Sequence, residues 1–382
     1  MPARFFKIDK LLNASKLLFV RGTSCPAAWL STCSQRRFTL DGSAPMTRSA
    51  TSLTSLNHIA VAVPVRNEAT RLPKLLSALD VGASIVPVPV TVTLLINNTT
   101  DASAKIARRL NYPALSLQVL ETEFSQNQAS AGHARGMAMR VAASQGGLLM
   151  TTDADAIPDP MWMISALMAM AGGADLVCGR ITARVPRVMA TPSGGRITRA
   201  EFSYATMMHE VRHYLDQMAG RQAIGSVRPH YMESGACMAM RVQAFLAVGG
   251  LPDRPCSEDR AMVYRAETAG LVVNYCDGMR ARVSGRLRGR AAGGMAECLR
   301  QRMQDEDPYA DQAMLSPKLL AQLWSDAMYG SPQPYPDRST SPGPRMRASD
   351  LETALPLLAQ LTTDIIRPQF AEWLSRKRVV AA

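Results

Sequence analysis

The most constraining feature of this chain is a series of apolar, strand-length runs, each closed by a polar cluster and followed by residues at helical intervals. It begins with Ile59-Ala60-Val61-Ala62-Val63-Pro64-Val65, a β-branched run of strand length. Arg66-Asn67-Glu68 follows, and then Leu72, Leu75, Leu76 and Leu79 fall on one helical face. Val90 to Ile96 predicts a second strand, ending at Asn97-Asn98-Thr99-Thr100-Asp101 before a helix from Ala104 to Leu110. Leu117 to Leu120 predicts a third strand, Ala134 to Ser144 a helix, and Leu148 to Thr152 a fourth strand that runs into Asp153. Strands alternating with helices imply a mostly parallel sheet with helices on both faces. Ligands of such sheets bind beyond the carboxyl ends of the strands, which is where the polar clusters fall.

Beyond Asp155 the pattern loosens. A polar, glycine-containing segment from Val185 to Arg196 precedes an amphipathic helix over Arg199 to Met218. Ala236 to Met240 is strand-like, Val242 to Val248 helical, and Asp350 to Thr362 predicts a last helix. The expected organisation is a disordered basic extension over 1–55, one α/β domain over 56–300, a helical extension over 301–329, a flexible Pro-rich linker over 330–348 and a C-terminal helix over 349–382. Met46 is a candidate for the true start. No internal repeat is visible.

Charge and composition narrow the function classes. The formal net charge is +12, and residues 1–50 hold eight Lys/Arg against Asp9 and Asp41. A second basic cluster runs from Arg280 to Arg302, of a kind that attracts phosphates or anionic headgroups. Aromatics make up only 5% of the chain, which argues against a stacking platform for single-stranded nucleic acid. No nucleic acid partner is expected. Seven cysteines without a CxxC pair or regular spacing read as reduced thiols of a cytoplasmic protein. No run reaches the roughly 18 apolar residues of a membrane span, so membrane contact is expected to be at most peripheral, at the inner face.

Two features carry chemistry by themselves. Residues i and i+2 of a strand point the same way, so Asp153 and Asp155 present two carboxylates together at a strand end. Paired hard oxygen ligands suit Mn²⁺ or Mg²⁺, which keep positions open for phosphate oxygens. Farther on, Glu258-Asp259 is a second acidic pair, as an ordinary helix start would also provide.

The order of these elements resembles the family 2 glycosyltransferases of GT-A fold. The resemblance runs through Pro64-Val65-Arg66-Asn67-Glu68, Asn97-Asn98-Thr99-Thr100-Asp101, Thr152-Asp153-Ala154-Asp155, Ser234-Gly235-Ala236 through Gly249-Gly250, and Ser257-Glu258-Asp259. It covers roughly residues 57–300. It implies a Rossmann-like α/β fold with a mostly parallel central sheet and a helical C-terminal extension. It also implies an inverting, non-processive transfer of a sugar from a nucleoside-diphosphate donor to a hydroxyl of a glycan, lipid-linked or small-molecule acceptor. Pro64, Asn67 and Glu68 would line the nucleotide pocket, Asn97 and Asn98 would face the base, and Arg66, Asp101 and Arg135 complete the expected donor set. Asp153 would reach the ribose or the metal's water and Asp155 the Mn²⁺ or Mg²⁺ itself. Asp259 is the expected general base, with Glu258 orienting the acceptor or capping the helix. Arg286 and Arg290 sit where the family carries a loop over the donor phosphates. Amides at Asn97 and Asn98, where the family often has acids, leave the base open.

A rival of another class is also present. His209-Glu210-Val211-Arg212-His213 satisfies H-E-x-x-H, and Glu233 could serve as a third ligand of a zinc protease. Arg212 puts a charge where metalloproteases carry none, and nothing before it resembles a protease scaffold. A nucleotidyltransferase of similar fold would be expected to carry a glycine-rich loop after the first strand, and Val65-Arg66-Asn67-Glu68 has no glycine. A non-catalytic binding protein is disfavoured by the intact Asp153, Asp155 and Asp259.

Overall fold

The computed structural model describes residues 56–126, 128–289, 293–330 and 333–381. The expectations for 1–55, for Met46 and for Arg290 lie outside those residues. Over the first half, strand and helix alternate as the periodicity predicts. The order is β1 (Ile59–Val65), α1 (Leu72–Ile85), β2 (Val90–Asn97), α2 (Ser103–Arg109), β3 (Ser116–Thr122), α3 (Ala131–Ala143) and β4 (Leu148–Thr151).

All pairings among these strands are parallel, with β1 between β2 and β4 and β3 outside β2. A strand at such a position is covered on both faces and reads as one apolar run. Ile59, Val61, Val63 and Val65 pack with Leu72, Leu75, Leu76 and Leu79 of α1. Ala60 and Ala62 pack on the other face with Ala134, Ala138 and Ala142 of α3. Each of those four leucines is fully buried, which contributes about 1.5–3 kcal/mol per side chain. That burial, more than helix propensity, selects the face of α1.

The eight-stranded sheet has the order β3-β2-β1-β4-β7-β6-β8-β5. The chain moves outward from β1 to β3 and then crosses back to lay β4 on the other side of β1. The strand order reverses there, so a crevice opens between the ends of β1 and β4. β7 (Met238–Arg241) runs antiparallel to both β4 and β6. Two long strands had no clear periodic signal: β6 (Leu176–Ala183) and β8 (Val273–Val283), which pair in parallel with an irregularity at Gly179/Arg180. The two-residue β5 (Ile157–Pro158) closes the edge on β8.

Two expectations need correction. The helix expected from Arg199 starts earlier, and the polar Val185 to Arg196 segment before it is itself largely helical: α5 (Pro186–Met189) is followed by α6 (Pro192–Met218). Each starts on a proline, whose missing N–H is spare at that position, and Thr191 accepts the Gly194 N–H as N-cap of α6. Gly194 also lets the turn close, since a Cβ there would come within 2.3 Å of the Val188 carbonyl oxygen.

The second correction concerns the segment read as a flexible linker. Tyr335, Arg338 and Ser339 are buried in it. Tyr335 joins a second core with Ile197, Tyr204 and Val211 of α6, Trp324 of α10 (Pro317–Tyr329), and Leu351 and Leu358 of α11 (Ala348–Leu361). The C-terminal helix continues past Thr362. It passes through a π turn at Thr362–Ile366 into α12 (Arg367–Ala381). Among the described residues no helix is long and apolar enough to cross a membrane.

Candidate active site

The end of β1 turns sharply at Asn67, whose φ of 52° lies in the left-handed region. Its side-chain carbonyl accepts the N–H groups of Thr100 at 2.7 Å and Asp101 at 3.2 Å. Asp101 returns the contact by accepting the Ala69 N–H and also accepts the Ser103 N–H at the start of α2. Asn67 and Asp101 thus fasten the loops after β1 and β2 to one another. Asn98, also left-handed, exchanges hydrogen bonds with the backbone of Phe124. Asn97 is buried and donates to Asn98. Asn98 thus uses both the donor and the acceptor of its amide on backbone, which a carboxylate could not do. Arg66 reaches the Ala129 carbonyl at 3.5 Å, and Pro64 sits in β1 opposite Leu95.

Glu68 is nearly fully buried and forms a two-point ion pair with Arg286, whose Nη2 also lies 3.2 Å from Asp155. Burial and the neighbouring Asp153 carboxylate push the Asp155 carboxyl up to about 6, while Arg286 pulls it down. Burial is the larger cause, and the two neighbouring carboxyls also repel one another when both are charged. Hard carboxylate oxygens in such a place fit Mn²⁺ or Mg²⁺. Among the described residues no group of three or more His, Cys, Asp or Glu side chains could hold a metal ion alone. A cation at Asp153 and Asp155 would therefore need other oxygens, such as those of a diphosphate.

The centre of the site is Arg135, buried on α3. Its Nη2 donates to Asp153 at 2.6 Å, its Nη1 to Thr151 at 3.0 Å and to the Gly235 carbonyl at 2.8 Å, and its Nε to Glu258 at 3.0 Å. A planar guanidinium with several fixed donors can tie four groups from three segments at set angles. Arg135, expected to belong to the donor set, joins the Asp153 carboxylate after β4 to Gly235 and to Glu258. Gly235 is required here, because a Cβ would lie 2.6 Å from the clamped guanidinium. Glu258, buried against Arg135 and held above its ordinary carboxyl range by that burial, is a structural partner in the site. Asp259 is more open. It accepts the Gly235 N–H on Oδ2 and the Arg260 N–H on Oδ1, both at 2.8 Å.

The zinc constellation is not assembled. Glu233 is bonded to Arg338, Arg212 and Tyr275, and His213 donates from Nε2 to the Ser226 carbonyl. Glu210 pairs with Arg367. His209 packs against the Tyr231 ring, and burial first, then Arg212, lowers its pKa to about 4. This has a measurable consequence. Above pH 6.5 the imidazole is neutral in both states, so stability is unaffected. As pH falls from 6.5 towards 4 only the unfolded chain takes up the proton, and up to about 3 kcal/mol of stability is lost. His209→Gln is expected to flatten that part of a stability-versus-pH curve from chemical denaturation.

Arg338 is the principal residue that sequence reasoning missed, its signal being only an arginine in a Pro/Ser-rich stretch. Glu233, read from the sequence as a possible zinc ligand, is instead its ion-pair partner.

Residues 60–245 match the family model Glycosyl transferase family 2. Over that span the chain carries a family 2 glycosyltransferase domain. No curated protein matches the sequence. Among solved structures, the chain is similar to S. aureus TarS 1-349 in complex with UDP, at 15% identity and a TM-score of 0.43, covering 60% of this chain and 61% of that one. It thus spans less than two thirds of that TarS chain. The mannosyltransferase PcManGT from Pyrobaculum calidifontis, in complex with GDP-Man and Mn²⁺, is 17% identical with a TM-score of 0.44, covering 85% of this chain and 81% of that one. Glucosyl-3-phosphoglycerate synthase from Mycobacterium tuberculosis, with Mn²⁺, UDP-Glc and phosphoglyceric acid, is 17% identical with a TM-score of 0.40, covering 66% and 82%.

Proposed function

We propose that this protein transfers a sugar from a nucleoside-diphosphate donor to a hydroxyl acceptor in one inverting displacement that depends on a divalent cation. The observation that carries this reading is the Arg135 hub, which links Asp153 on the donor side with Glu258 and Gly235, and through Gly235 with Asp259. Asp155, with Asp153, would hold Mn²⁺ or Mg²⁺. The chemistry such a cation supplies is neutralisation of charge on the departing diphosphate.

Arg286, bridging Glu68 and Asp155, is placed to exchange those carboxylates for donor phosphates, for which a guanidinium has matching geometry. Asp259 would take the acceptor hydroxyl proton while that oxygen bonds to the anomeric carbon and the carbon–diphosphate bond breaks. One carboxylate suffices, because the leaving group departs as an anion without needing a proton.

The test is a thermal-shift titration of nucleoside diphosphates and nucleotide sugars with and without Mn²⁺. Stabilisation by at least one nucleotide is expected to need the cation and to weaken tenfold or more in Asp155→Ala. Equal stabilisation with and without Mn²⁺, unchanged in Asp155→Ala, would reject the cation site.

A further inference from the structure

The turn that presents Asp259 is not self-supporting. Ser257, immediately before Glu258-Asp259, has a φ of 58°, a left-handed conformation that is strained for a non-glycine residue and persists only where its surroundings impose it. What imposes it comes from the C-terminal part of the chain. Gln312 donates from Nε2 to the Ser257 hydroxyl at 2.9 Å and to the Arg338 carbonyl at 3.2 Å. Arg254, at the other end of the turn, donates to the Ser339 hydroxyl at 2.9 Å. Arg260, next to Asp259, forms a two-point pair with Asp311 at 2.7 and 2.8 Å.

A second attachment reaches the other partner of Asp259. The Arg338 guanidinium, nearly fully buried, donates to Glu233 from Nε at 3.0 Å and from Nη2 at 2.9 Å. Glu233 lies two residues before Gly235, whose N–H binds Asp259. The same short segment therefore grips the turn that carries Asp259 and the strand approach that orients it.

We infer that Asp337-Arg338-Ser339 is an active-site strap, and that Arg338 and Gln312 are positioning residues that hold Asp259 in its working orientation without touching substrate. This rests on the reading of Asp259 as the general base. The C-terminal extension is then part of the catalytic unit.

The test uses the full chain and the variants Gln312→Ala, Arg338→Lys and Asp259→Asn. Amide hydrogen exchange is read over residues 233–237 and 254–262, with β1 and β4 as internal reference. Nucleotide release is followed with UDP-glucose and GDP-mannose as probes. In Gln312→Ala and Arg338→Lys, exchange at Gly235 and Arg260 is expected to quicken about tenfold or more while β1 and β4 stay protected. kcat is expected to fall about tenfold with the donor KM within about twofold. Should Arg338→Lys fail to fold, Gln312→Ala decides, since its side chain lies outside the buried ion network. Wild-type exchange at Gly235 and Arg260 in the folded variants would overturn the strap, and so would quickened exchange with unchanged kcat. Full turnover by Asp259→Asn would instead remove the base assignment, an outcome read in turnover and separable from exchange.

Discussion

Replacing Asp259 by Asn is expected to lower kcat about 10²–10⁴-fold, the range over which a positioned general base contributes, while Mn²⁺-dependent nucleotide binding is retained. The carboxylate suits this role because of what holds it. Its two oxygens accept N–H groups of Gly235 and Arg260 from opposite sides, which fixes the plane of the group and leaves remaining lone pairs for the acceptor hydroxyl. An amide keeps the shape but offers one acceptor oxygen, sets its NH₂ against a backbone N–H, and cannot take the proton. Asp153 and Asp155 are untouched by the change, so donor affinity in the thermal-shift titration is the internal control. A kcat within threefold of wild type would assign the proton transfer elsewhere.

The largest stability effect is expected at Glu233. Its carboxylate is fully buried between the guanidiniums of Arg212 and Arg338 and the Tyr275 hydroxyl. Burial alone would raise its pKa, but Arg338 and Arg212 outweigh this and hold it down to about 2. Removing one member of such a network strands opposite charges in a poorly solvated interior. Glu233→Ala should therefore cost about 3–5 kcal/mol, measured by chemical denaturation. Glu267 and Asp216 stay beside Arg212, so the loss is bounded. Glu233→Gln, which keeps the shape and one acceptor, should cost less. Equal stability of Glu233→Ala and wild type would mean that the arginines find other partners.

The first four strands and the helices between them could be read from the sequence because their signals are local. Leu72, Leu75, Leu76 and Leu79 share a helical face whatever lies elsewhere, and β1 is apolar throughout because both its faces are covered. β8 gave no such signal. Its sequence, VNYCDGMRARV, has no clean alternation, and its partner β6 lies about a hundred residues away. Composition misled over 330–348, where Pro, Gly and Ser indicate a linker but Arg338 is locked onto an acid 105 residues distant.

The same division runs through the site. The amino-acid sequence by itself determined that two acids, Asp153 and Asp155, follow the fourth strand closely and that Glu258-Asp259 forms a second acidic pair, since adjacency is a property of neighbours along the chain. Strand spacing does not orient the first pair, because β4 ends at Thr151 and a turn closed by the Ala156 N–H on the Asp153 carbonyl carries it. Only the tertiary structure decided that Arg135 joins the two pairs, that Glu258 supports while Asp259 stays accessible, and that Glu233 belongs to an ion network and to no metal. Those roles depend on which charges are buried together, and burial is settled by how distant segments pack.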